Sequence, residues 1–214
     1  MREDALFAEW RKRYGAAFIP DGVADEDIFA SENIRFVFVL KEVSECYGDF
    51  DLRRFLAQGA QGNGGHTWGP VTRWLGAAAG ATFASSPNAD VRKQWLKKIG
   101  AMNLKKTTGG TSAIKTKIAQ AAKDDADLLN AQVSLYLEKP TLFPCCGEGV
   151  FDLFRDHVIK FTRDKENTTA EGVAYIKFDA NGIAFRFRHP NVKETGKPEL
   201  FAKTVKQLAG LFND

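Results

Sequence analysis

The chain has 214 residues, 44% hydrophobic and 27% charged, which is enough for one well-buried domain and ordinary for a soluble globular protein. No apolar stretch approaches bilayer length, and the acidic, polar start Met1–Tyr14 lacks the basic-then-apolar pattern of a secretory signal, so a cytoplasmic protein off the membrane is expected. A net charge of +3 is too mild to demonstrate a nucleic-acid partner by itself.

In chain order, Ala5–Tyr14 carries Leu6, Phe7 and Trp10 at helical spacing and predicts an amphipathic first helix. A loop with Pro20 and Gly22 follows. Ile34–Leu40 is nearly all apolar and rich in β-branched and aromatic residues, the mark of a strand buried on both faces of a parallel sheet. Asp51–Ala57 reads as a short helix whose leading carboxylate complements the helix dipole, and Gly59–Gly65 as a mobile glycine-rich loop. Pro70 suits the opening of a helix, and Asn88 or Asp90 the cap of another through Lys98, which feeds a strand at Ile99–Met102.

Thr107–Ser112 breaks the chain before a helix, or a broken pair, over residues 113–138. Pro140–Cys146 reads as a strand and Glu148–Val158 as a helix. Val173–Phe178 and Ile183–Phe187 flank an Asn181-Gly182 reversal and predict a hairpin, after which Pro198 opens a last helix ending near Gly210. This alternation predicts a single domain over residues 1–214: an α/β fold, a three-layer α/β/α sandwich with a central, mostly parallel sheet.

The cysteines Cys46, Cys145 and Cys146 are odd in number, and the adjacent pair would close a strained ring, so reduced thiols are expected. Neither they nor His66, His157 and His189 have zinc-like spacing, so no metal and no other cofactor is expected. Gly59–Gly65 lacks the Gly-Lys-Ser/Thr ending of a phosphate-binding loop, and no Gly-x-Ser-x-Gly elbow announces a serine hydrolase. Basic residues cluster at Arg92, Lys93, Lys97 and Lys98, at Lys105 and Lys106, and at Arg186, Arg188, Lys193 and Lys197, which fits either phosphate contacts or solvated faces.

Three polar residues stand at the carboxyl ends of strand-like runs: Glu42 after Ile34–Leu40, Asn103 after Ile99–Met102, and His189 after Ile183–Phe187. In an open parallel sheet such ends converge on one crevice, so a carboxylate, a carboxamide and an imidazole from distant positions can share a site. Each also has a plainer reading: Glu42 as the ion-pair partner of Lys41 or another base, Asn103 as a turn cap, His189 as a structural residue.

The order of elements, the strand end Met102-Asn103-Leu104-Lys105-Lys106 and the late Arg188-His189-Pro190-Asn191 resemble the uracil-DNA glycosylase superfamily. That family sets a polar catalytic residue after the first strand, a base-reading Asn after a central strand, and a His-Pro-Ser type motif after the last. Here Lys41-Glu42-Val43-Ser44 replaces the usual first motif, Asn191 stands where Ser is usual, and the four cysteines of the iron–sulfur branches are absent.

The resemblance implies a DNA-base glycosylase-like protein, monomeric, acting on single- or double-stranded DNA and recognising a flipped uracil or deaminated base. Glu42 and His189 would be catalytic, the first orienting water or stabilising the sugar cation, the second donating to the base oxygen that gains charge. Asn103 would read the base edge and Phe50, or Phe55, would stack on it. Lys105, Lys106, Asn191 and Lys193 would contact DNA, with Asn191, Val192 and Lys193 entering the gap left by the base. The alternative is a protein of the same fold that binds nucleic acid or a modified nucleotide without cutting it.

Overall fold

The buried run after Ile34 does form a strand, and it lies in the middle of the sheet. The computed structural model describes residues 3–46, 48–83, 86–110, 112–159, 165–192 and 197–213. Among the described residues the helices are α1 (Glu3–Tyr14), α2 (Glu26–Ser31), α3 (Leu52–Ala57), α4 (Gly65–Ala78), α5 (Ala89–Leu96), α6 (Lys115–Asp124), α7 (Ala126–Tyr136), α8 (Val150–Leu153) and α9 (Lys197–Gly210). The strands are β1 (Gly22–Val23), β2 (Arg35–Leu40), β3 (Ile99–Asn103), β4 (Thr141–Cys146), β5 (Asn167–Thr168), β6 (Ala174–Asp179) and β7 (Gly182–Phe187).

They make one mixed sheet in the order β1-β3-β2-β4-β7-β6-β5. Its centre, β3-β2-β4-β7, is parallel, with Leu40 beside Asn103, Val39 beside Cys145 and Cys146 beside Phe187. The rims are antiparallel: β1 on β3, β6 on β7 and β5 on β6. The parallel expectation therefore applies to the four central strands alone.

Because successive strand residues point to opposite faces, each central strand feeds two separate apolar clusters. Val37, Val39, Met102, Phe143 and Cys145 join Phe7 and Trp10 of α1, Leu129 and Val133 of α7 and Phe151 of α8. Phe38, Leu40, Leu142, Cys146, Phe185 and Phe187 join Trp68 and Trp74 of α4 and Phe201 and Leu208 of α9.

Local chemistry sets the element ends. Asp51 accepts from the Arg53 and Arg54 amides at the head of α3, and Asn88 from Val91 at the head of α5, each satisfying orphan helix donors. The Asp179–Gly182 turn is held by Asn181 N–H donating to Asp179 Oδ1 at 2.9 Å. Pro70 does not open α4. The 3-10 turn Gly62–Gly64 leads directly into a helix starting at Gly65, and Pro70, inside it, leaves the His66 carbonyl without its usual helical partner. Beyond Leu153 the chain continues as a π-helical turn, Phe154–Val158, rather than as regular α-helix. No helix among the described residues is long and apolar enough to cross a membrane.

One buried polar network underlies the carboxyl end of β3. Asp21 accepts from Lys106 Nζ at 2.7 Å, from Gln132 Nε2 at 3.1 Å and from the Asn103 amide at 2.7 Å. Beside it Glu3 is only 5% exposed and accepts from the Tyr136 hydroxyl and, at 3.3 Å, from the Val23 amide. Burial, aided by the charge of Asp21, raises the Glu3 carboxyl from 4.5 to about 7, against the opposing pull of the Tyr136 hydrogen bond.

A raised folded-state value makes the native protein hold a proton that the unfolded chain releases. The associated stability is complete below about pH 4.5 and is lost as pH rises through about 7, a change of about 3 kcal/mol. Urea denaturation at pH 4.5 and pH 8 is expected to show the native chain losing that much more than Glu3→Gln. Equal losses in the two proteins would assign the titration to another group.

Candidate functional site

From the central strand β2 the chain crosses to β3 on one side and to β4 on the other, and at such a reversal the strand carboxyl ends leave a crevice. A cleft of about 960 Å³ lies there, and Glu42, Asn103, His189, Phe50 and Asn191 all line it. Three residues separated by most of the chain are thus brought to one place.

Glu42 lies on an extension of β2 that runs beside the chain leaving β3: the Lys105 amide donates to the Lys41 carbonyl at 2.9 Å and the Gly109 amide to the Val43 carbonyl at 2.8 Å. Its side chain is 7% exposed, and Oε2 accepts from Lys105 Nζ at 2.5 Å. The ion-pair reading of Glu42 is therefore correct, with Lys105 as the partner. Oε1 accepts no hydrogen bond from the described residues, and the carboxylate still faces the cleft. Gly109 makes this position possible, since a Cβ there would fall 2.0 Å from the Glu42 carboxyl carbon.

Asn103 ends β3 with 2% of its surface exposed. Its amide is held by Asp21, while Nδ2 is buried at the cleft with no hydrogen-bond partner. The carboxamide caps no turn. An unmatched buried donor costs about 1–3 kcal/mol, which a ligand acceptor at this point would recover.

His189 follows β7, and its Nδ1 accepts the Asn191 amide at 3.2 Å. That bond leaves the proton of a neutral ring on Nε2. Burial lowers the imidazole below its ordinary value, and the positive charges of Lys41 and Lys197 lower it further, so the ring is a neutral donor at pH 7. Gly147 passes close by: a Cβ on it would lie 3.6 Å from His189 Cδ2 and 3.8 Å from Lys41 Cε.

Phe50 is half-buried, lines the cleft and lies 5.4 Å from Phe55, centroid to centroid, so both rings reach the same wall. Asn191 is exposed at the rim, where its Oδ1 accepts from the Thr67 hydroxyl at 2.9 Å.

Two expected DNA contacts are corrected. Lys105 Nζ is held by Glu42 and the Thr107 and Thr108 carbonyls, with 16% of its side chain exposed. Lys106 is completely enclosed, bonded to Asp21 and Gln132 with its ammonium 4.6 Å from the Trp10 ring centroid. Neither offers its charge to a phosphate. Lys193 lies outside the described residues.

Sequence reasoning missed the contributions of Lys41 and of the start of α4, where His66, Thr67 and Trp68 close the cleft. Lys41 was reachable from its place beside Glu42; the Thr67–Asn191 contact, 124 residues apart in the chain, carries no local signal.

The cleft joins an unmatched amide donor, a neutral imidazole donor, a carboxylate with one uncommitted oxygen and two aromatic rings. Such a set suits a flat, polar, hydrogen-bonding ring. Among the described residues no three His, Cys, Asp or Glu side chains group as metal ligands would. No protein-family model and no curated protein matches the chain.

Proposed function

We propose that the protein is a divergent uracil-DNA glycosylase-like enzyme, a three-layer α/β/α domain that takes a flipped uracil or other deaminated base from DNA and hydrolyses its N-glycosidic bond. The observation that carries this reading is the orphaned Nδ2 of Asn103, buried in the same cleft as His189 and Glu42. A carboxamide both donates and accepts, as the adjacent carbonyl and N–H of uracil require.

In this mechanism water adds to the sugar C1′ while the C1′–N1 bond breaks and its electron pair leaves on the base. The negative charge spreads to the base oxygen facing His189 Nε2–H, a contact that strengthens in the transition state. Glu42 Oε1 orients the water and accepts its proton on the way to solvent, and the departing base takes up a proton at N1. Phe50 and Phe55 pack against the flat faces of the base.

The test is release of base from uracil-, hypoxanthine- and xanthine-containing DNA, single- and double-stranded. His189→Ala is expected to slow cleavage about 10²- to 10³-fold, the usual worth of an oxyanion donor, with DNA binding largely kept. Asn103→Ala is expected to lose preference among bases. Product formation unchanged by His189→Ala would refute the assignment.

A second reading, binding without cleavage, draws on the Glu42–Lys105 ion pair, which occupies one carboxylate oxygen. Selective binding of base-modified DNA with no abasic product from any substrate would establish it.

A further inference from the structure

A second cavity, of about 440 Å³, adjoins the first and shares His66 and Asn191 with it. The Thr67–Asn191 hydrogen bond forms the sill between them. Among the described residues no aspartate or glutamate lines this second cavity, whereas Arg73 of α4 does.

Arg73 is exposed and makes no ion pair or hydrogen bond with the described residues. Other arginines of the protein are committed: Arg53 to Asp51, Arg186 to Asp152, and Arg92 to the carbonyls of Gly59 and Pro87. The lining also has apolar members, Pro190 and a 46%-exposed Val192 whose carbonyl accepts from Lys197. A guanidinium fork lining a cavity with no carboxylate among the described residues matches the oxygens of a phosphate, and the apolar lining suits the sugar or base attached to it.

We propose that this cavity receives the nucleotide next to the one in the main cleft, with Arg73 binding the phosphodiester that links them. The inference rests on the nucleobase reading of the main cleft. It makes the ligand a strand of at least two nucleotides that crosses the Thr67–Asn191 sill, and excludes a free nucleoside as the preferred ligand.

The experiment measures anisotropy of a labelled uracil-containing single-stranded 12-mer, and competition by deoxyuridine, its 5′-monophosphate and a dinucleotide, for the native protein, Arg73→Ala and Arg73→Lys. Arg73 is exposed, so the variants are expected to keep the native melting temperature. Arg73→Ala is expected to weaken binding of the 12-mer and the dinucleotide about tenfold. The slope of log affinity against log salt should fall by about 0.7, with deoxyuridine unaffected and Arg73→Lys intermediate.

An unchanged affinity and salt slope in Arg73→Ala, with the native protein binding the 12-mer, overturns the second cavity and leaves the main cleft standing. An equal loss for the 5′-monophosphate also overturns it, by assigning Arg73 to the phosphate of the flipped nucleotide itself. A native protein that binds no oligonucleotide and no nucleoside overturns both readings.

Discussion

Lys106→Ala is expected to lower stability by about 3–5 kcal/mol, the usual cost of stranding a buried charge by deleting its partner. The ammonium is bonded to Asp21 and Gln132, and both side chains of the Lys106–Asp21 pair are 0% exposed. Burial pulls the lysine below its ordinary value while Asp21 pushes it back up, as in a desolvated but compensated pair. Removing the cation leaves the Asp21 carboxylate buried without its counter-ion, held only by the neutral donors Gln132 Nε2 and the Asn103 amide.

Equilibrium denaturation measures this directly, and a second variant separates charge from cavity. In Lys106→Met/Asp21→Asn neither charge remains and the volume is nearly kept, so most of the loss should be recovered. A double variant as unstable as Lys106→Ala would show that packing, not the stranded carboxylate, is responsible.

Phe201→Ala is expected to cost a similar amount, about 3–5 kcal/mol, because it opens a large cavity in an aromatic cluster. The ring is 0% exposed, stacks on Phe38 at 6.1 Å and on Trp74 at 5.7 Å, and meets Phe187 edge-on at 5.2 Å, centroid to centroid. It thereby binds α9 to α4 and to the end of β7 that leads to His189. Urea unfolding should show a lower midpoint with the slope kept. A loss under about 1 kcal/mol would mean that the neighbouring rings collapse into the space.

The parts of this architecture legible in the sequence were those with a strong local period. The apolar run ending at Leu40, the Asn181-Gly182 reversal and the polar residues just past three strands carried the centre of the sheet and its cleft. The two-residue strands β1 and β5 are too short to have a period, and they supply antiparallel rims that no pattern announced.

Charge was the poorer guide. Lys105 and Lys106 are neighbours at the bend that follows β3, and their side chains part there, one toward Glu42 and the other toward Asp21. A basic pair counted as surface is in fact two separate internal counter-ions. Pro70 misled for a related reason: proline most often stands in a helix's first turn, but the 3-10 turn before Gly65 had already started this one.

The bare α-carbon of Gly109, where a methyl would fall 2.0 Å from the Glu42 carboxyl carbon, has an evolutionary consequence. A single-base change to alanine would displace the acid while leaving Asn103 and His189 in place, which under the glycosylase proposal turns a bond-breaking pocket into one that only holds its guest. On that proposal, descendants of this domain can cross between hydrolysis and recognition in one mutational step.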